Sequence, residues 1–311
     1  MKTLYVITTE QCQMNCPFCY TQFVPQFNTS FKKDAICANM VANVINKGIN
    51  GEPFTYVIFH GGEPLLYPET ILEIMDKVSV DTEFSVQSNL GFKQLSQDQL
   101  KVLTRLKSYG TSYNVDRFDK GNVIFKFYFQ DNVKLLNSMG LEGTVLITIT
   151  QDQIDKQNPF ALYKYIKSLG IKKVVFERPI FPIRDIKKNK DKYAKLYEDV
   201  DKYLRVCAGI FPPDMTNLFW LVEKALEHGL TLYDTKCSNN TYTLFQDRIK
   251  YGCPSLENRN ENNKDMLSQC LQCKYYKYCG MDCECFNHVC AFPKQTFDYI
   301  KKKIEEKKEI G

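Results

Sequence analysis

The sequence predicts an α/β protein built on a parallel sheet with helices outside it. Three observations carry this prediction. Short β-branched and aromatic runs recur through the first two thirds of the 311 residues, amphipathic stretches separate them, and glycine, proline or serine stands at the ends of those stretches. Six β/α units in series force a parallel sheet, because crossover connections between neighbouring parallel strands are right-handed and lay their helices on its face.

The expected strands are LYVIT (4–8), FTYVIFH (54–60), TEFSVQ (82–87), TSYNV (111–115), TVLITIT (144–150) and KKVVFE (172–177). Each is short, apolar and bounded by turn residues. Between them, 34–48 ends in glycine, 68–78 opens on proline, and 96–106 begins with a serine cap. The stretches 132–140 and 158–170 also end in glycine. Two further helical stretches follow, at about 190–206 and 215–229. Beyond Lys236 the chain turns polar and holds eight of the thirteen cysteines. Such a segment has too few large apolar residues for a core of its own, so metal ligation is the expected tie.

The composition is that of an ordinary soluble globular chain, 44% apolar and 25% charged, with a net charge of +5. Much of the positive excess sits in 187–192 and 301–311, runs that read as solvated surface rather than a nucleic-acid or membrane face. The opening MKTLYVITTEQC passes straight into an apolar strand without a secretion pattern, so the expected location is the cytoplasm. There clustered cysteines point to metal rather than disulfides.

The chemistry begins at Cys12, Cys16 and Cys19, spaced C-x3-C-x2-C in CQMNCPFCY. Three thiolates hold three corners of a cubane iron–sulfur cluster, whereas a cluster that only carries electrons usually has four. The open iron implies that a small molecule completes it. A zinc site is the alternative, but His60, His228 and His288 all lie far from the triplet in sequence. With Phe18 before the last cysteine and HGGEP at 60–64, this pattern resembles the radical S-adenosylmethionine (radical SAM) superfamily.

That resemblance implies a partial (β/α)6 TIM-like barrel, open on one side, and a [4Fe-4S] cluster whose open iron is chelated by S-adenosylmethionine. It implies reductive cleavage of that molecule to a 5′-deoxyadenosyl radical, with the electron coming from a donor such as flavodoxin or ferredoxin. Gly61, Gly62 and Glu63 would pass the methionine moiety, the glycines allowing close backbone approach. Ser88 and Asn89, in the run Gln87-Ser88-Asn89, resemble the ribose-contacting segment, although Leu90 stands where a glycine is usual. Ser112 and Asn114 resemble a Ser-x-Asp pair with asparagine replacing the acid. Ordinary strand-end hydrogen bonding is the alternative for these four. Arg178, beside Glu177, would face the same mouth, the alternative being an ion pair between the two.

Cys270, Cys273, Cys279 and Cys283 form C-x2-C-x5-C-x3-C, with Cys237 and Cys253 before them and Cys290 after. This resembles the SPASM extension, which binds two auxiliary [4Fe-4S] clusters. The resemblance assigns Cys270, Cys273, Cys279 and Cys290 to the outer cluster and Cys237, Cys253 and Cys283 to the inner one. Cys285, Cys207 or a substrate group would complete the inner cluster, and paired zinc ribbons are the alternative for the whole segment. Cys37 is read as core on a helix face, and Trp220 as packing.

The implied organisation is a barrel at 1–180, a helical connector at 181–236, a SPASM domain at 237–295, and a C-terminal helix and charged tail at 296–311. The implied activity is oxidative modification of a peptide or protein substrate by thioether or carbon–carbon crosslinking, epimerisation or related maturation. Dehydrogenation of a small carbohydrate-like molecule is the alternative. A non-enzymatic electron-transfer module is the remote one. Sulfatase maturation fits poorly, since Pro254 follows Cys253 where those enzymes carry an aspartate base.

Overall fold

The computed structural model describes residues 2–16, 19, 35–118, 123–177, 179, 188–212, 215–216, 241–245 and 249–251, with isolated positions beyond. Its strands are β1 (Thr3–Thr9), β2 (Tyr56–Gly61), β3 (Glu83–Ser88), β4 (Ser108–Ser112), β5 (Gly143–Thr148), β6 (Lys173–Glu177), β7 (Thr241–Leu244) and β8 (Ile249–Tyr251). They form one sheet in the order β6-β5-β4-β3-β2-β1-β7-β8. The pairs β1–β2, β2–β3, β3–β4, β4–β5 and β1–β7 are parallel, and β7–β8 is antiparallel. Since β6 and β8 are edges, the sheet is an open, partial barrel.

The helices are α1 (Ala38–Lys47), α2 (Pro68–Lys77), α3 (Gln97–Thr104), α4 (Val123–Ser138), α5 (Gln151–Lys156), α6 (Pro159–Ser168) and α7 (Lys190–Ile210). Pro68 opens α2, where the missing N–H costs nothing. Ser96 caps α3 in a reciprocal box with Gln99. α1 and α2 bury Val41, Ala42, Ile45, Ile71, Ile74 and Met75 at helical spacing, and Val57 and Phe59 are fully buried on β2.

Several elements differ from the sequence reading. β4 runs over 108–112 rather than 111–115, because Gly110 is a strand residue and not a turn. The end of the Gln87 side chain lies where a Cβ at Gly110 would project, so a larger residue here would have to displace it. α4 starts at Val123, well before the expected 132, since its buried stripe Phe129, Asn132, Val133 and Leu136 begins in an aromatic run that carries no helix signal. α5 was not expected. It is six residues long, and its start is fixed by Thr150, whose hydroxyl accepts from Gln153 N at 3.1 Å. Cys37 is exposed at the N-cap of α1, not on its buried face. β7 and β8 were also not expected: TYTL is too short and polar to stand out, yet it pairs Thr3–Val6 with Thr241–Leu244.

The chain forms two compact units. One comprises Met1–Ile147, Tyr165–Val174 and Asn240–Pro254; the other comprises Thr148–Lys164, Val175–Asn239 and Ser255–Gly311. In the second unit α7 is anchored by Tyr197 and Tyr203, whose hydroxyls donate to Pro179 O (2.9 Å) and Gln157 O (2.7 Å). Phe211 packs edge-on against Tyr163 and Phe176. No helix among the described residues is long and apolar enough to cross a membrane.

Candidate functional site

In the first unit β1, β2, β3 and β4 are parallel neighbours, so the segments after Thr9, Gly61, Ser88 and Ser112 emerge at one rim. In open α/β sheets this carboxyl rim is where ligands bind. The cysteine loop follows β1. Gly62 N donates to Thr9 O and Glu63 N to Gln11 O, each at 2.7 Å, and these bonds extend the β1–β2 ladder past both strands. A Cβ at Gly61, whose φ is +129°, would run into Thr9 O, and one at Gly62 into the carbonyls of Gln11 and Glu10. Glycine is therefore required here for a close approach of two backbones. The approach visible in the structure is to the cysteine loop itself.

Glu63 is fully buried and belongs to the same clamp. Its Oε1 accepts from Leu65 N (3.0 Å) and Ser88 Oγ (2.8 Å), and its Oε2 accepts from Asn89 N (2.7 Å). Ser88 Oγ in turn accepts from Leu90 N at 3.1 Å, which commits its proton to Glu63. Burial pushes the Glu63 carboxyl up to about 7, against the pull of these donors and of Arg117. On the strand leading into the motif, burial holds His60 down to about 4, so its ring is neutral and Nδ1 accepts from Gly61 N at 2.7 Å.

Asn89 connects the rim of β3 to the cysteine loop. Its Oδ1 accepts from Gly91 N (2.7 Å) and Gln13 Nε2 (3.1 Å), while its Nδ2 donates to Gln13 Oε1 (3.2 Å) and to Cys12 Sγ (3.5 Å). Leu90, in the place where a glycine is usual, takes the left-handed conformation at φ +52° and is completely buried. Its carbonyl accepts from Asn132 Nδ2 at 2.9 Å. The backbone therefore keeps the shape that glycine would give, and the buried side chain offsets the strain.

At the end of β4, Ser112 Oγ accepts from Gln87 Nε2 at 3.1 Å, and Asn114 is completely buried two residues on. A 3-10 turn at Asp116–Phe118 follows, with Asp116 and Arg117 each only 8% exposed. Arg117 Nη1 donates to Ser112 O at 2.7 Å. The sequence reading missed Gln13, Asp116 and Arg117. All three lie in irregular segments where no periodicity marks them, and the acid–base dipeptide after the Ser-x-Asn pair was the available signal.

The donor set fits an iron–sulfur cluster. Cys16 is buried and Cys19 N donates to Cys16 O at 3.1 Å, a tight turn that keeps these two thiols on one loop. Cys12 Sγ accepts from Met14 N at 3.4 Å as well as from Asn89. Burial pushes the Cys16 thiol up while Arg117 works against it. Such a thiol gives up its proton to a bound cation, so binding here is coupled to proton release. Among the described residues no three His, Cys, Asp or Glu side chains converge as on a single metal ion. A cubane spreads its thiolates over separate irons, so three thiols on one loop suit it without meeting at one point.

Other expected site residues fall elsewhere. Arg178 and Cys237, Cys253, Cys270, Cys273, Cys279, Cys283 and Cys290 lie outside the described residues, as do Cys285 and Trp220. Glu177 is exposed, and its carbonyl accepts from Ile149 N at 2.8 Å. Cys207 is completely buried in α7, and burial pushes its thiol up.

Residues 6–119 match the radical SAM superfamily, a stretch that covers the cysteine loop, the Gly61–Glu63 clamp and Arg117. An uncharacterized protein of Archaeoglobus fulgidus is 29% identical over 93 residues, which are 29% of this chain and 20% of that protein. The chain thus spans about a fifth of the length of the curated relative that it matches. Among solved structures, native anSMEcpe with bound AdoMet is similar with a TM-score of 0.74 at 18% identity, covering 99% of this chain and 100% of that one. Streptococcus suis SuiB bound to S-adenosylmethionine is similar at 0.56 and 13%, covering 91% and 73%. SuiB bound to its precursor peptide SuiA is similar at 0.55 and 14%, covering 91% and 72%. At such identities the likeness is one of fold, and that fold is the partial TIM-like barrel.

Proposed function

We propose that this protein is a radical SAM enzyme that generates a 5′-deoxyadenosyl radical and oxidatively modifies a peptide or protein substrate. The carrying observation is the clamp that binds the cysteine loop of β1 to Gly62, Glu63 and Asn89 at the carboxyl rim. Cys12, Cys16 and Cys19 would hold the cluster, and S-adenosylmethionine would occupy the rim beside Gly61, Gly62 and Glu63. Ser88, Asn89, Ser112, Asn114 and Arg178 are proposed as the remaining cofactor contacts. When bound, cluster and cofactor together supply one-electron reductive cleavage and hydrogen abstraction from carbon.

The chain's own residues orient the loop. Gly61 and Gly62 let the two rim segments touch, and Glu63 fixes the β3 turn through Ser88 and Asn89. Asn89 then presents its amide to Cys12. The auxiliary clusters, assigned to Cys237, Cys253 and Cys283 and to Cys270, Cys273, Cys279 and Cys290, belong to the same proposal, as does a low-potential flavodoxin or ferredoxin donor. The peptide reading is supported by the likeness to SuiB, which is solved with a precursor peptide.

The test is anaerobic reconstitution followed by addition of S-adenosylmethionine and dithionite. The wild type should release 5′-deoxyadenosine and methionine, and a variant with Cys12, Cys16 and Cys19 all replaced by alanine should release neither. Cleavage by the triple variant would overturn the assignment.

A further inference from the structure

The turn after β3 and the cysteine loop are joined by a closed set of amide bonds. Gly91 N donates to Asn89 Oδ1 at 2.7 Å. A backbone N–H only donates, so this bond fixes which end of the Asn89 amide is oxygen and turns Nδ2 toward the loop. Gln13 pairs with that amide in both directions: its Nε2 donates to Asn89 Oδ1 (3.1 Å) and its Oε1 accepts from Asn89 Nδ2 (3.2 Å). Gln13 Nε2 also reaches Gly91 O at 3.4 Å. Asn89 Nδ2 donates in addition to Cys12 Sγ at 3.5 Å, and Met14 N donates to the same sulfur at 3.4 Å. Asn89 is 4% exposed, and its amide is complete, with two bonds accepted at oxygen and two donated from nitrogen.

We infer that Gln13 positions the Asn89 amide on the Cys12 sulfur, and that the Asn89 side chain serves the cysteine loop rather than the ribose of a bound cofactor. This inference rests on the reading of Cys12 as a cluster ligand. With its bonding capacity complete, the amide turns toward a ribose hydroxyl only by giving up Gln13, Gly91 or Cys12. A cofactor contact at this position therefore falls to the Asn89 backbone. Groups that hydrogen-bond a metal's ligands fix the orientation of those ligands. An N–H donated to a ligating sulfur also favours the reduced state of an iron–sulfur cluster, because reduction adds negative charge at the acceptor. Gln13 acts through Asn89, which makes it a positioning residue.

The first measurement is hydrogen exchange of the iron-free full chain, read at the amides of Met14 and Gly91, whose acceptors are Cys12 Sγ and Asn89 Oδ1. Gln13→Met keeps the length of the side chain and removes its amide, and should speed exchange at both positions about tenfold. Exchange at Gly62 and Glu63, held by Thr9 O and Gln11 O, should stay as in the wild type. Unchanged exchange at Met14 and Gly91 overturns the inference, and so does equal acceleration at all of these amides, which marks a general loosening. The second measurement is an anaerobic redox titration of the reconstituted chain without S-adenosylmethionine, followed by electron paramagnetic resonance on the signal absent from the variant lacking Cys12, Cys16 and Cys19. Gln13→Met and Asn89→Ala should each lower its reduction equilibrium constant about threefold, or about 28 mV for a one-electron couple. The double variant should fall no further than Asn89→Ala alone, since both residues act through one amide. A Gln13→Met signal that titrates with the wild type overturns the inference, as do shifts that add in the double variant. If Gln13→Met assembles no such cluster, the exchange measurement decides. A wild type with no signal beyond that of the triple variant overturns the cluster assignment itself, and the inference with it.

Discussion

Leu90 shows at the scale of one residue how this chain keeps a familiar backbone shape with an unfamiliar side chain. A left-handed conformation costs a non-glycine residue about 1–2 kcal/mol, while truncating a fully buried leucine to alanine costs about 2–5 kcal/mol. The second term is larger, which accounts for a leucine at φ +52°. Leu90→Gly should therefore destabilise the protein, but Leu90→Ala should destabilise it more, by about 1 kcal/mol, because alanine loses the packing and keeps the strain. Denaturant midpoints would check the order; an alanine variant as stable as the glycine one would mean that φ is not strained. Gly62→Ala should be worse than either substitution suggests from size alone. Its Cβ would meet the backbone carbonyls of Glu10 and Gln11, which cannot swing aside, and the bonds to Thr9 O and Gln11 O would break. Two such bonds amount to about 1–3 kcal/mol, and the same variant should take up less iron because the cysteine loop is what moves.

At the scale of elements, the end of β2 carries two groups whose titrations oppose each other. Glu63 is raised to about 7, so its contribution to stability is present below pH 4.5 and is lost as pH rises through 7. His60 is lowered to about 4, so its contribution is present above pH 6.5 and is lost as pH falls through 4. Between pH 4.5 and 6.5 the folded chain carries one proton on Glu63 and the unfolded chain carries one on His60, and the two slopes cancel. Glu63→Gln should leave the His60 slope alone, with stability rising with pH by at most about 1.4 kcal/mol per unit. Urea midpoints of the iron-free chain across that window would check it, and a flat profile in the variant would show that His60 keeps an ordinary affinity for protons. The strands were legible in the sequence because β1, β2, β5 and β6 are largely apolar runs bounded by turns, while β3 showed only its Phe84 and Val86 between turn residues. β4 was shifted because Gly110 looks like punctuation, whereas it clears space for Gln87 from the next strand, a tertiary fact with no local mark. Leu90 and Arg117 were illegible for the same reason, since neither a left-handed φ nor burial of a charge in a loop leaves a periodic trace.

For the whole molecule, the cysteine arithmetic was legible where spacing is compact and silent where ligands come from distant segments. The N-terminal triplet lies on one loop, and its spacing, with Phe18 and the HGGEP run, is what singles it out as the proposed cluster site. The fourth ligand of an inner auxiliary cluster has no spacing to read, which left Cys207, Cys285 and a substrate group as candidates. Reconstituted wild type should hold three four-iron clusters, and the triple variant of Cys12, Cys16 and Cys19 should hold two. Cys207 bears on the remaining question because its surroundings are described: it is 0% exposed within α7, next to the bond from Phe211 N to Cys207 O, and burial alone raises its thiol. A thiol in that setting behaves as a small buried hydrophobe. Cys207→Ala should therefore cost some stability through a small cavity, yet leave iron per chain unchanged. Loss of one cluster's irons from this variant, with the other two clusters retained, would make Cys207 the missing ligand and would leave the inner cluster no open iron for a substrate thiolate. Unchanged iron passes the same question to Cys285, where the same measurement separates closure by the protein from closure by the substrate.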